Sequence, residues 1–257
     1  MKPFLIVLIL LFLIFPTSCD NLDLQKKESA KQPLLVCILF DLSGSTETLR
    51  QIYLTAFKQI LSPVSDGDTV VVGKITASSI TEPEILKETF PRFVPLDPGG
   101  RPTDNSYLIK RARAEADKKT TQTKEELLKA LERFLFAEKT PRTDIISSLQ
   151  VAERISKRYK GHNVILVLFS DMAETATYNF YRENLTDVRI DEILKKERVE
   201  GRLPDLEGVT VFIVGCGTEG TERFFALRKF WLRYFEECKA NLQKKNYGSD
   251  YALVHIK

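Results

Sequence analysis

The sequence predicts an α/β fold, a doubly wound and mostly parallel sheet with helices on both faces. Two observations carry this. Apolar runs at Leu34–Phe40, Val164–Phe169 and Val209–Val214 are short, rich in β-branched residues and free of polar alternation; strands covered on both faces read this way. Between the runs lie stretches whose apolar residues recur with a 3.6-residue period, so strand and helix alternate along the chain. Of the 257 residues, 43% are hydrophobic and 28% charged, which provides for a globular core. A formal net charge of +3 is too small to point to nucleic acid.

The first nineteen residues, MKPFLIVLILLFLIFPTSC, carry one charge, Lys2, and an apolar run from Phe4 to Phe15. As a helix that run would reach roughly 18 Å, short of a hydrocarbon core of about 30 Å. It fits the apolar region of a secretory signal. Thr17-Ser18-Cys19 then resembles the end of a bacterial lipoprotein signal, which is cut just before a cysteine that takes lipid. Pro16 departs from that pattern, which usually has leucine there. The alternative is an ordinary signal peptide cut nearby, with Cys19 incidental. The resemblance divides the chain into a signal peptide at 1–18, a lipidated Cys19 with a polar, aperiodic tether at 19–33, and one domain at 34–257. It implies a lipoprotein of the bacterial cell envelope, anchored to a membrane and facing the periplasm or the exterior.

Within the domain, Leu49, Ile52, Tyr53, Ala56, Phe57 and Ile60 form one face of a helix after the first strand. Thr69–Thr76, TVVVGKIT, reads as a fourth strand, and residues 85–93 as an antiparallel return from it. A long insertion follows at about 95–142. Its residues 104–139 predict one long helix, or two that break near Thr120–Thr123. Leu127, Leu131, Phe134 and Leu135 give the second half an apolar face, while the first half is polar enough to be solvated. Ile145, Leu149, Ala152 and Ile155 mark a helix ahead of the strand at Val164. A last helix runs from about Thr221 to Ala240. Its stripe of Phe224, Leu227, Trp231, Tyr234 and Cys238, widened by Phe225, Phe230 and Phe235, is expected to pack on the sheet with Arg223, Lys229 and Arg233 toward water. Of the other cysteines, Cys37 reads as a small buried hydrophobe; Cys216 and Cys238 pair only if the fold brings them together. No C-x-x-C occurs and His162 and His255 lie far apart, an arrangement unlike a zinc site.

Ligands of open α/β sheets bind beyond the carboxyl ends of the strands. The polar residues there are Asp41, Ser43 and Ser45 after the first strand, Ser170 and Asp171 after the strand at Val164, and Thr143-Asp144 ahead of a helix. Taken alone, Asp41-Leu42-Ser43-Gly44-Ser45 before an amphipathic helix could be no more than a turn and a helix cap. Taken together, the three loops offer oxygen donors without sulfur or imidazole. Such a set suits Mg2+, which keeps several waters and uses only one or two carboxylates. The pattern resembles the von Willebrand factor type A (VWA) domain, whose metal-ion-dependent adhesion site has Asp-x-Ser-x-Ser on a first loop, Thr on a second and Asp on a third. Asp41, Ser43, Ser45, Thr143 and Asp171 match all five positions in order, over a resemblance that covers roughly residues 33–257. It implies a Rossmann-like VWA fold. Ser43 and Ser45 would be direct ligands of Mg2+ (or Mn2+ or Ca2+), Thr143 a direct or water-mediated one, and Asp41 and Asp171 would act mainly through water. The implied partner is another protein, whose Asp or Glu completes the ion. Many members have a shorter connection than the one at 95–142.

Competing motifs are weaker. Residues 215–220, GCGTEG, match G-x-G-x-x-G, but no acid follows the only later strand candidate, YALVHI, so a nucleotide is not expected. Gly73-Lys74 is no P-loop, because Asp68 stands where the first glycine belongs and Ile75 where Ser or Thr does. Phosphatases of the haloacid dehalogenase type carry Asp-x-Asp at a strand end; Ser43 replaces the second acid, the general acid of that chemistry. Ser43 also lacks a G-x-S-x-G elbow. The expected function is therefore non-enzymatic, a metal-dependent protein-binding module. A metal-dependent hydrolase and a metal-independent envelope scaffold are the alternatives.

Overall fold

The computed structural model describes residues 32–81, 85–137, 139–217 and 220–248. The signal segment, Cys19, nearly all of the tether and the YALVHI strand candidate lie outside the described residues. Among the described residues six strands form one sheet: β1 (Leu34–Asp41), β2 (Thr69–Ile75), β3 (Ile85–Thr89), β4 (Asn163–Phe169), β5 (Thr210–Val214) and β6 (Asn241–Gly248). Their order is β3-β2-β1-β4-β5-β6. All pairings are parallel except β2 with β3. The chain thus winds outward from β1 in one direction through β2 and β3, then returns to β4 and winds the other way. The reversal lies between β1 and β4, and there the connections diverge and leave a crevice at the carboxyl ends.

Helices cover both faces: α1 (Arg50–Leu61) and α2 (Ser106–Ala137) on one, α3 (Ile145–Arg158), α4 (Asp187–Val199) and α5 (Thr221–Glu237) on the other. Period-two alternation sorts β1 between the two cores. Leu35, Cys37 and Leu39 join Ile145, Leu149, Ile190, Trp231 and Tyr234, while Val36, Ile38 and Phe40 join Tyr53, Phe57, Leu131 and Leu135. Every one of these residues is buried, so the unbroken apolar run of β1 follows from a strand with no solvent face.

Several expectations change. Strand β3 ends at Thr89, before Pro91, whose ring removes a ladder donor. Of the two alternatives for the insertion the single helix holds: Ser106–Ala137 is one uninterrupted helix, with no break at Thr120–Thr123. Thr121 turns its hydroxyl onto the carbonyl of Asp117 inside the helix, and Leu127, Leu131 and Leu135 seat the second half in the core. Ile52, placed by period on the buried face of α1, is 43% exposed, because the stripe narrows to Tyr53, Ala56, Phe57, Ile60 and Leu61. In α5, Phe225 is exposed and Arg223 reaches back to the carbonyls of Phe180 and Tyr181 rather than toward water. The packing of the rest of that stripe follows the expectation. Helix α4 and strand β6 have no clear apolar period and were not anticipated. Cys37, Cys216 and Cys238 are buried free thiols, so Cys216 and Cys238 do not pair. No helix among the described residues is long and apolar enough to cross a membrane.

Candidate metal centre

Asp41 is the last residue of β1 and is fully buried. Its Oδ1 accepts from the backbone N–H of Ser43 at 2.9 Å, and its Oδ2 from the Ser170 hydroxyl at 2.7 Å. The sequence Leu42-Ser43-Gly44-Ser45 then turns into a short 3-10 segment, Gly44–Leu49. Ser43 stands at the cap position of that segment but makes no side-chain capping bond. Instead the Ser43 and Ser45 hydroxyls lie 3.1 Å from each other. The turn is closed by Thr46, whose hydroxyl donates to the carbonyls of Asp41 at 2.7 Å and Ser43 at 3.0 Å. The buried Arg50 adds a bond to the carbonyl of Leu42. The two serine hydroxyls are therefore not spent on holding the backbone.

Asp171 follows β4 on the neighbouring strand. Its Oδ1 accepts from the N–H of Ala173 at 3.0 Å, and its Oδ2 from the Tyr181 hydroxyl at 2.8 Å. The turn beyond it is strained. Met172 has φ +66°, a region that costs a side-chain-bearing residue roughly 1–2 kcal/mol. The Ser170 hydroxyl holds it by accepting from Met172 N–H at 2.9 Å, and Trp231 Nε1 donates to the Met172 carbonyl at 2.9 Å.

Thr143 arrives on the third loop, between α2 and α3. Its N–H donates to the Thr175 hydroxyl at 2.8 Å, and its carbonyl accepts from Thr175 N–H at 2.9 Å. Asp144 caps α3 through Ser147 N–H. Beneath both lies Glu174, whose two oxygens accept from four backbone N–H groups, those of Ile145, Ile146, Ala176 and Thr177. This carboxylate pins the loop after β4 to the start of α3, and so sets Thr143 relative to Asp171.

The fold thus brings all five sequence-selected residues to one edge. Ser43, Ser45 and Thr143 line an open cavity of about 570 Å³; Asp41 and Asp171 are buried, and Asp171 is tied to the cavity wall through the Tyr181 hydroxyl. Sequence reasoning missed the supporting residues Thr46, Arg50, Glu174, Thr175 and Tyr181, and the full part of Ser170; none belongs to the five-residue pattern, and only the topology reveals them. Asp41 is pushed up to about 6, chiefly by burial and then by the charge of Asp171, against the pull of its hydrogen bonds. Burial pushes Glu174 up to about 7, again against its N–H donors. Among the described residues no Lys or Arg pairs with Asp41 or Asp171. Two close carboxylates without a cation are costly, and the hydroxyls at the same edge supply neutral oxygen donors. This is a donor set that fits a hard divalent ion. Among the described residues no group of three or more His, Cys, Asp or Glu side chains is placed to hold a metal; the cluster here has two carboxylates and is completed by hydroxyls.

Fold and site together define a doubly wound α/β domain with an oxygen-rich cluster at its topological switch point. No family model matches the chain, and no curated protein does. Among solved structures it is similar to a von Willebrand factor type A protein from Catenulispora acidiphila, at 15% identity and a TM-score of 0.45 over 86% of this chain and 40% of that one. It is also similar to the minor pilin PilB of Streptococcus sanguinis, at 12% identity and a TM-score of 0.46 over 86% and 58%. A third is the pilus adhesin SpaC of Lactobacillus rhamnosus GG in its open conformation, at 11% identity and a TM-score of 0.43 over 86% and 28%. The chain spans less than two thirds of the length of each.

Proposed function

We propose that this chain is a VWA-type protein-binding module that works through a divalent cation, Mg2+ or, in its place, Mn2+ or Ca2+, rather than an enzyme. The observation that carries the reading is the buried pair Asp41 and Asp171, which forms no ion pair with Lys or Arg among the described residues, at the sheet edge whose loops carry the hydroxyls of Ser43, Ser45 and Thr143. Ser43, Ser45 and Thr143 would hold the ion, with Asp41 and Asp171 acting through water. When bound, the ion supplies an electrophilic position for a partner's Asp or Glu, and neutral hydroxyls leave most of its charge available to that carboxylate. The protein's own part is positional. Thr46 and Arg50 set the first loop, Ser170 and Tyr181 orient the two carboxylates, and Glu174 fixes the third loop. The cavity above is open, as an incoming side chain requires. We place the module at the bacterial cell envelope, held by lipid on Cys19 through the tether at 19–33.

The test is the thermal response to metal. Mg2+ at a hundredfold excess over Kd should stabilise the wild type by about 2.7 kcal/mol, raising Tm relative to EDTA. Asp41→Ala should still fold, because it removes a carboxylate whose charge burial and Asp171 already disfavour, and should lose that response. An equal Mg2+ shift in both proteins, or none in the wild type, would remove the basis of the assignment.

A further inference from the structure

The rim of the cavity carries a charge that the cation site does not require. Besides the hydroxyl donors, its lining includes Arg142 and Arg182, and no carboxylate. Both arginines are exposed, and neither makes an ion pair among the described residues. The acids nearest to them in the chain are committed elsewhere. Glu183 is gripped by both arms of Arg189 at 2.7 and 2.9 Å, and Asp144 caps α3 at 3.1 Å. On the first loop, Glu47 pairs with Lys139 at 2.6 Å. The two arginines are also mounted on anchored backbone. Arg182 N–H donates to the carbonyl of Asn179 at 2.9 Å, and Arg142 directly precedes Thr143, which Thr175 holds from both sides.

Two positive charges on the rim of a cation site repel the ion and each other until an anion arrives. Such a rim favours a partner that brings more than one negative charge, and a guanidinium is shaped to take a carboxylate side by side. We propose that the cavity recognises an acidic peptide segment, with one carboxylate at the cation and flanking acids received by Arg142 and Arg182. The central carboxylate rests on the metal reading above; the flanking pair rests on the cavity lining alone.

The test uses detergent-solubilised full-length protein and fluorescence anisotropy at about 0.15 M salt, where long-range charge effects are screened beyond ~8 Å. Three labelled peptides are compared: Gly-Ser-Asp-Ser-Gly, Glu-Ser-Asp-Ser-Glu and Gln-Ser-Asp-Ser-Gln. With Mg2+ the three-acid peptide should bind roughly tenfold tighter than the other two, since each exposed pair contributes a factor of a few. The double variant Arg142→Gln/Arg182→Gln should bind all three alike while showing an Mg2+ thermal shift at least as large as that of the wild type. Equal affinities in the wild type, or a preference that survives in the double variant, would overturn the proposal. So would equal competition by a single-stranded oligonucleotide of the same charge, because recognition would then be of charge alone. Failure of the metal reading shows itself separately, as a wild type whose Tm and peptide binding ignore EDTA; the arginine-dependent preference is still read in that condition.

Discussion

Replacing Gly215 by alanine should destabilise the protein by about 2–6 kcal/mol, for two separable reasons. Gly215 follows β5 with φ +104°, a conformation that costs a residue with a Cβ roughly 1–3 kcal/mol. An added Cβ would also stand 2.5 Å from the Tyr53 hydroxyl oxygen, 3.3 Å from Tyr53 Cε1 and 3.3 Å from the carbonyl oxygen of Ser170. Tyr53 has little room to yield. It is 1% exposed, and its ring packs on Phe40 and Phe169 with centroids 6.0 and 4.9 Å away. Overpacking of this kind costs about 1–3 kcal/mol. The Tyr53 hydroxyl makes no hydrogen bond among the described residues, so Tyr53→Phe removes an unsatisfied buried group and should change stability by less than about 1 kcal/mol. It should also remove the closest contact made by the new methyl. In the Tyr53→Phe background the cost of Gly215→Ala should therefore shrink by about 1–3 kcal/mol, leaving the backbone part. Urea midpoints of the four proteins in EDTA, with a shared m-value, measure this. An alanine penalty of the same size in both backgrounds would show that the hydroxyl is not the obstacle; no penalty in either would refute the conformational argument as well.

Other expected outcomes follow from the site and its surroundings. With a partner isolated from native membranes in the presence of Mg2+, Thr143→Ala should weaken binding, whereas Lys→Gln changes at Lys110, Lys118, Lys119 and Lys124 on α2 should do much less; a binding assay giving the reverse order would move the contact to the inserted helix. In EDTA, Asp41 and Glu174 hold protons more tightly in the native than in the unfolded chain, with native values of about 6 and about 7. Their contribution is then largest at low pH and is lost as pH rises, on the order of 4 kcal/mol between about pH 5 and 8 for the two together, and urea midpoints that do not fall over this range would contradict it. Cys19→Ser should release the protein from membranes or leave an uncleaved precursor, and a wild-type mature N-terminus that maps elsewhere without an acyl mass would exclude the lipid anchor.

The sequence by itself determined the layered α/β architecture, because a strand with no solvent face must be apolar throughout, as Val36–Phe40 is, and a helix on its surface must be apolar along one stripe, as α3 is at Ile145, Leu149, Ala152 and Ile155. The five oxygen-bearing residues were selected differently: Asp41 ends an apolar run directly and Asp171 stands two residues after another, and the set with Ser43, Ser45 and Thr143 came from the resemblance to the Asp-x-Ser-x-Ser, Thr and Asp pattern. Elements without such a pattern stayed hidden. Helix α4 lays Ile190, Ile193 and Leu194 on the core between charged residues, and β6, last in the sheet among the described residues, exposes Asn241, Gln243, Lys244 and Lys245. The continuity of α2 was equally a tertiary matter, since Leu131 and Leu135 in the core outweigh the weak helix preference of its threonines. Only the tertiary structure decided that Cys216 and Cys238 remain apart, that Glu174 ties the loop after β4 to α3 through four N–H groups, and that Arg142 and Arg182 share one rim. These relations join residues tens of positions apart, such as Ile145 with Glu174 and Asp41 with Ser170. No local period encodes them; they arise because the order reversal between β1 and β4 brings separate loops to one edge of the sheet.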